Sequence, residues 1–72
     1  ALGYSDEAVA PNVRAALHGN PEIRGANIQV QVNNGLVTLS GSVGSDEIRI
    51  RALRTAERVG GVRQVRNMMG SN

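Results

Sequence analysis

The stretch Ile28 to Gly41, IQVQVNNGLVTLSG, constrains this chain more than any other part of it. Ile28, Val30 and Val32 sit two apart with Gln29 and Gln31 between them, the spacing of a half-buried strand. Val37 and Leu39 repeat the pattern around Thr38 beyond Asn34-Gly35. A two-residue hairpin loop needs positive φ at both of its positions, which Asn and Gly tolerate best. Such a loop sets Asn33 opposite Leu36, Val32 opposite Val37, Val30 opposite Leu39 and Ile28 opposite Gly41. Ile28, Val30, Val32, Val37 and Leu39 then lie on one face, and a slip of one residue would turn all of them outward. Gln29, Gln31, Thr38 and Ser40 make up the other face.

A hairpin alone is not a domain, so the flanking segments must cover its apolar face. SDEAVAPNVRAALHGNP reads as a helix with Ser5 as cap, Asp6 and Glu7 in the positive first turn, and Gly19 with Pro21 as the stop. Val9, Val13, Ala16 and Leu17 form its apolar stripe. Pro11 conflicts with this, because inside a helix it removes a hydrogen bond and crowds the Glu7 carbonyl. The expectation is a loose first turn and a firm helix from about Pro11 to His18. Past the hairpin, GSVGSDEIRIRALRTAERVGG predicts a second helix, capped by Ser45, opened by Asp46 and Glu47, and ended by Gly60-Gly61. Its buried stripe is Ile48, Ala52, Ala56 and Val59, with Leu53 on the flank. VRQVRNMM then predicts a short third strand, with Val65 and Met69 toward the core and Val62 anchoring the turn into it.

The order helix, strand, strand, helix, strand has a restricted set of folds. Hairpin strands run antiparallel, while a strand-helix-strand crossover returns parallel and right-handed. The expected fold is α+β: a three-stranded mixed sheet in the order 1-2-3 with both helices on one face. Strands one and three are then edges.

Seventy-two residues make one domain, and a chain of this size buries only about 60% of its unfolded surface. There is no Phe or Trp and Tyr4 is the single aromatic, so the core is aliphatic and a deep substrate cavity is not expected. Cysteine is absent, which excludes disulfides and thiolate metal sites. No apolar run approaches a membrane span or a signal peptide. All eight basic residues are Arg, against six acids. A net charge of +2 does not by itself imply nucleic acid.

The residues from Ser5 to Met69 resemble a known family. The helix containing VRAAL, the I-x-V-x-V-x-N-G-x-V-x-L-x-G-x-V hairpin from Ile28 to Val43, and the A-x-x-x-A-x-x-V-x-G-V-x-x-V-x-N run from Ala52 to Asn67 are similar to a BON domain, named from bacterial osmotic-stress and nodulation proteins. The matching positions are mostly structural: Asn34 and Gly35 of the turn, Gly41 of the strand, the Gly61-Val62 corner and Asn67. The resemblance implies a non-enzymatic module of a larger bacterial protein that attaches to phospholipid membranes or supports the envelope. It implies an envelope or periplasmic location, or the cytoplasmic face of a membrane, and a role in stress response. The expected single domain spans residues 1–72 with a structured core of about 5–69. Two departures stand out: Pro11 interrupts the first helix, and Gly70-Ser71-Asn72 stand where the family's last strand continues.

Candidates for chemistry are few. His18, the sole histidine, sits at a helix end, where a solvated or capping role suffices. Asp46 and Glu47 open a helix, where the dipole accounts for them. No His or Cys cluster offers metal ligands, and no cofactor or catalytic residue is implied. GSVG, Gly41 to Gly44, matches the GxxG loop of KH nucleic-acid domains literally, yet that loop joins two helices and carries basic residues, whereas this one leaves a strand. The exposed sheet face, with Gln29, Gln31, Thr38, Ser40, Gln64 and Arg66, has no aromatics on which bases stack.

On the second helix, at about 100° per residue, Arg51, Arg54 and Arg58 fall in one stripe outside the buried face, beside Ile50. Charges to headgroups with an apolar side chain into the interface is how a peripheral helix meets an anionic bilayer. Solvated pairing competes with this: Glu47 stands i, i+4 to Arg51, and Glu57 stands three from Arg54. Ile50, Arg51, Arg54 and Arg58 are therefore the candidate lipid contacts, with an anionic phospholipid surface as partner. The competing expectation is a protein-protein or self-association module that uses the sheet edges, or the open face with Leu36 and Met68 as its apolar points.

Overall fold

Five elements follow one another: α1 (Asp6–His18), β1 (Asn27–Asn33), β2 (Leu36–Val43), α2 (Asp46–Glu57) and β3 (Gln64–Ser71). The computed structural model describes residues 5–23 and 26–71; Tyr4 and Asn72 lie outside them. The sheet order is β1-β2-β3, with β1 antiparallel and β3 parallel to β2. The fold is α+β, as the element order requires.

The hairpin has the expected register at every pair, from Asn33 opposite Leu36 to Ile28 opposite Gly41. Asn34 and Gly35 have φ of 53° and 81°, the positive pair that a two-residue loop demands. Gly41, with φ of 115°, does different work: a Cβ there would run into the Asn27 carbonyl oxygen, so only glycine lets β1 and β2 approach at this point.

The core lies between sheet and helices. Val9, Val13 and Leu17 come from α1, Val30 from β1, Val37, Leu39 and Val43 from β2, Ala52 and Ala56 from α2, and Met69 from β3. Ile23, in the turn after α1, completes it at 2% exposure. α1 packs on β1 and α2 on β2 and β3, and the helices touch each other. Ala52 and Ala56 are fully buried, and their small size allows α2 its close approach. Ala16 and Val65 are only half-buried.

Three expectations need correction. α1 is helical from Asp6 onward with Pro11 inside it, rather than loose before Pro11. Ser5 caps it by accepting the Ala8 N–H at 3.3 Å. The Asp6 carboxylate also accepts the N–H groups of Asn34 and Gly35 at 2.8 and 3.1 Å. That tertiary contact and the burial of Val9 fix the first turn. Pro11 and Glu7 are exposed, so the donor that Pro11 lacks is missing from the solvent-facing side of the helix rather than from the core. Secondly, α2 ends at Glu57, with Arg58 as its right-handed cap, ahead of Gly60-Gly61. Thirdly, β3 begins at Gln64, two residues into VRQVRNMM: Val62 anchors the turn as expected, its N–H donating to Val59 at 3.2 Å, and the Arg63 N–H donates to the Gly35 carbonyl at 2.8 Å. It also continues through Gly70 and Ser71, which pair with Ser42 and Val43.

Candidate functional site

The outward face of α2 is set by its inward one. With Ala52 and Ala56 against the sheet, Ile50 is turned to solvent and is 45% exposed. Arg51, Arg54 and Arg58 are exposed beside it. These four side chains line one open groove of about 500 Å³, together with Glu47, Thr55 and Asn20 of the turn after α1. The structure thus brings together all four residues singled out from the sequence.

Their electrostatic situations differ. Arg51 bridges two acids: its Nη1 lies 2.7 Å from Glu22 and its Nη2 donates to Glu47 at 3.1 Å. The hydrogen bond to Glu47, then the charge of Glu22, raise its pKa above the ordinary arginine value. Arg51 therefore ties α2 to the turn after α1. Glu22 is held for that role by the turn itself, whose Asn20 Oδ1 accepts the Glu22 N–H at 3.0 Å. Sequence spacing pointed to the Glu47 pair but not to Glu22, because that contact spans two elements. A local pair, Arg49 with Asp46 at 3.1 Å, also escaped notice, although its i, i+3 spacing signals it.

Arg54 and Arg58 make no ion pair with any described residue; the pairing of Arg54 with Glu57 that their spacing suggests does not form. One turn apart on a helix, two cations repel by about 0.2–0.5 kcal/mol. An anion between them would relieve that repulsion, and a planar guanidinium group donates to two phosphate oxygens at once.

Elsewhere, His18 is exposed at the end of α1. Among the described residues no group of three or more His, Asp or Glu is placed to hold a metal ion, and no described helix is long and apolar enough to cross a membrane. Met68 is 61% exposed on the open sheet face, while Leu36 is half-buried.

A family model of the BON domain matches residues 5–70. The chain belongs to the BON family. No curated protein matches it. The BON family is one of non-catalytic binding domains associated with phospholipid and with the bacterial envelope. In this BON domain the family's marked positions act on the backbone: Asn34 and Gly35 turn the hairpin, and Gly41 admits the Asn27 carbonyl. Gly61 takes φ of 91°, Val62 packs against the core, and the Asn67 Oδ1 accepts the Met69 N–H at 2.9 Å. These positions shape the scaffold, and none of them lies on the outer face of α2.

Proposed function

We propose that the domain attaches peripherally to anionic phospholipid surfaces of the bacterial envelope through the outer face of α2. The observation that carries this is the pair Arg54 and Arg58, unpaired among the described residues and flanking the exposed Ile50. The two guanidinium groups engage headgroup phosphates and Ile50 enters the interface. Arg51 serves by neutralising Glu22 and Glu47, which would otherwise repel the membrane from the same groove. Each Arg contributes about 1 kcal/mol near an anionic surface, so a single domain binds weakly and reversibly. Membership of a phospholipid-associated family supports the same reading.

Co-sedimentation with vesicles, with and without anionic lipid, tests it. Wild type is expected to bind anionic vesicles and ignore neutral ones. Arg54→Gln with Arg58→Gln should abolish binding while the circular dichroism spectrum stays unchanged, since neither side chain is core. Binding by the double variant equal to wild type would reduce the α2 face to a solvated surface.

A further inference from the structure

A different feature lies along β1, on the side of the sheet away from β2. In a hairpin with a two-residue loop, Asn33 and Leu36 exchange backbone hydrogen bonds, and the alternation continues at Gln31 and Gln29. Ile28, Val30 and Val32 therefore point their backbone N–H and C=O groups outward, along the free edge. The Val30 carbonyl is met there by a side chain instead of a strand: Arg14 of α1 donates to it from Nη2 at 3.4 Å, at the long end of hydrogen bonding. This donor stands where the N–H of an added strand would come.

The edge is flanked by receptors for side chains. On the helix side a cleft of about 60 Å³ is floored by Leu17, Ile23, Ala26 and Ile28, with Arg14 at its rim. A second groove of about 600 Å³ shares Arg14 and Val30 with it and reaches Arg66 on the open face. The charged residues of both grooves are cationic, unlike the α2 face, where Glu47 is interleaved. β1 itself, NIQVQVN, has neither charge nor proline, the usual guards of a free edge.

We infer that the free edge of β1 is a docking strand for an extended peptide whose apolar and acidic side chains alternate, added to the sheet by β-augmentation. Its backbone N–H replaces Arg14 on the Val30 carbonyl. The freed guanidinium takes a carboxylate of the peptide, and an apolar side chain fills the small cleft. A lipid acyl chain fits less well, because it has no donor for the Val30 carbonyl. The occupant is not a second copy presenting its own acids: Asp6, Glu7, Asp46 and Glu47 sit in first turns of helices, Glu57 ends α2 and Glu22 is bridged to Arg51. None lies on an extended segment. This inference is independent of the lipid reading, whose residues lie on α2 or cap it.

The test is an NMR titration of the labelled domain with a peptide of alternating Val and Glu, matched in length to β1, and with its Val-Lys counterpart. Saturable shifts at the Ile28, Val30 and Val32 amides are expected with the Glu peptide only. Methylating alternate backbone nitrogens of the peptide should remove them. Arg14→Gln should weaken binding about tenfold, the equivalent of one charge-assisted hydrogen bond. Ala10→Glu, which sets a carboxylate in the larger groove, should weaken it independently of Arg14. No saturable shift, equal binding of the Lys peptide, or unchanged affinity in both variants would overturn the inference. Anionic vesicles that shift these same β1 amides would also overturn it, by giving the edge to the membrane.

Discussion

Two glycines of one hairpin illustrate how differently a single missing side chain can matter. At Gly35, φ is 81° and a Cβ would come within 2.6 Å of the Arg63 Cγ and Cδ atoms. Those atoms belong to a flexible, exposed side chain that can move aside. The remaining cost of Gly35→Ala is the left-handed backbone, about 1–2 kcal/mol. At Gly41 the obstacle is the Asn27 backbone carbonyl, which cannot move without separating β1 from β2. Gly41→Ala should therefore cost more, about 3 kcal/mol. Urea denaturation of the two variants checks the ranking. A smaller loss at Gly41 would mean that the edge of the hairpin opens readily at Asn27.

At the scale of the element, α1 and α2 each contain a residue that tests how the helix was placed. Pro11 sits inside α1 and is exposed, so replacing it restores a hydrogen bond to the Glu7 carbonyl without touching the core. Pro is about 3 kcal/mol worse than Ala in a helix interior. Pro11→Ala should thus stabilise by about 1–3 kcal/mol, seen as a raised Tm. A lowered Tm would show that Pro11 helps through the unfolded state more than it hinders the helix. In α2 the buried and exposed faces are predicted to respond oppositely. Ala56 is fully buried, and Ala56→Leu should overpack the contact with the sheet at a cost of about 1–3 kcal/mol. Ile50→Ser should stay within about 0.5 kcal/mol of wild type, because Ile50 makes no core contact. Measured denaturation midpoints in the reverse order would mean a helix rotated from the position described.

At the scale of the whole molecule, the two surfaces proposed to meet ligands lie on separate elements. α2 covers β2 and β3, while α1 covers β1, so the α2 face and the β1 edge belong to different parts of the domain. The proposed membrane attachment through α2 would be electrostatic, and Coulomb attraction fades over a Debye length of about 8 Å at physiological salt. Vesicle binding should accordingly fall steeply as salt rises. Binding indifferent to salt would shift the weight from Arg54 and Arg58 to Ile50, and attachment to apolar insertion. Peptide addition to β1 would rest largely on backbone hydrogen bonds and the apolar cleft, so it should resist salt better than vesicle binding does.

The hairpin register was legible in the sequence because it depends on residues within one turn of each other: period-two alternation and the Asn34-Gly35 loop leave one arrangement that buries Val30, Val37 and Leu39. The sheet order and the buried Ala52-Ala56 stripe followed from connection rules and helical period, which are equally local. The same periodicity placed Ile50, Arg51, Arg54 and Arg58 on one exposed stripe. What depended on residues far apart in the chain was not legible. Asp6 accepts hydrogen bonds from a turn 28 and 29 residues away, and this holds α1 helical through its first turn despite Pro11. Glu22 reaches Arg51 across two elements, so Arg51 is held by acids while Arg54 and Arg58 make no ion pair with a described residue. Arg14 finds the Val30 carbonyl 16 residues on. Spacing determines which residues share a face; only the packed chain decides which charges on that face are already paired.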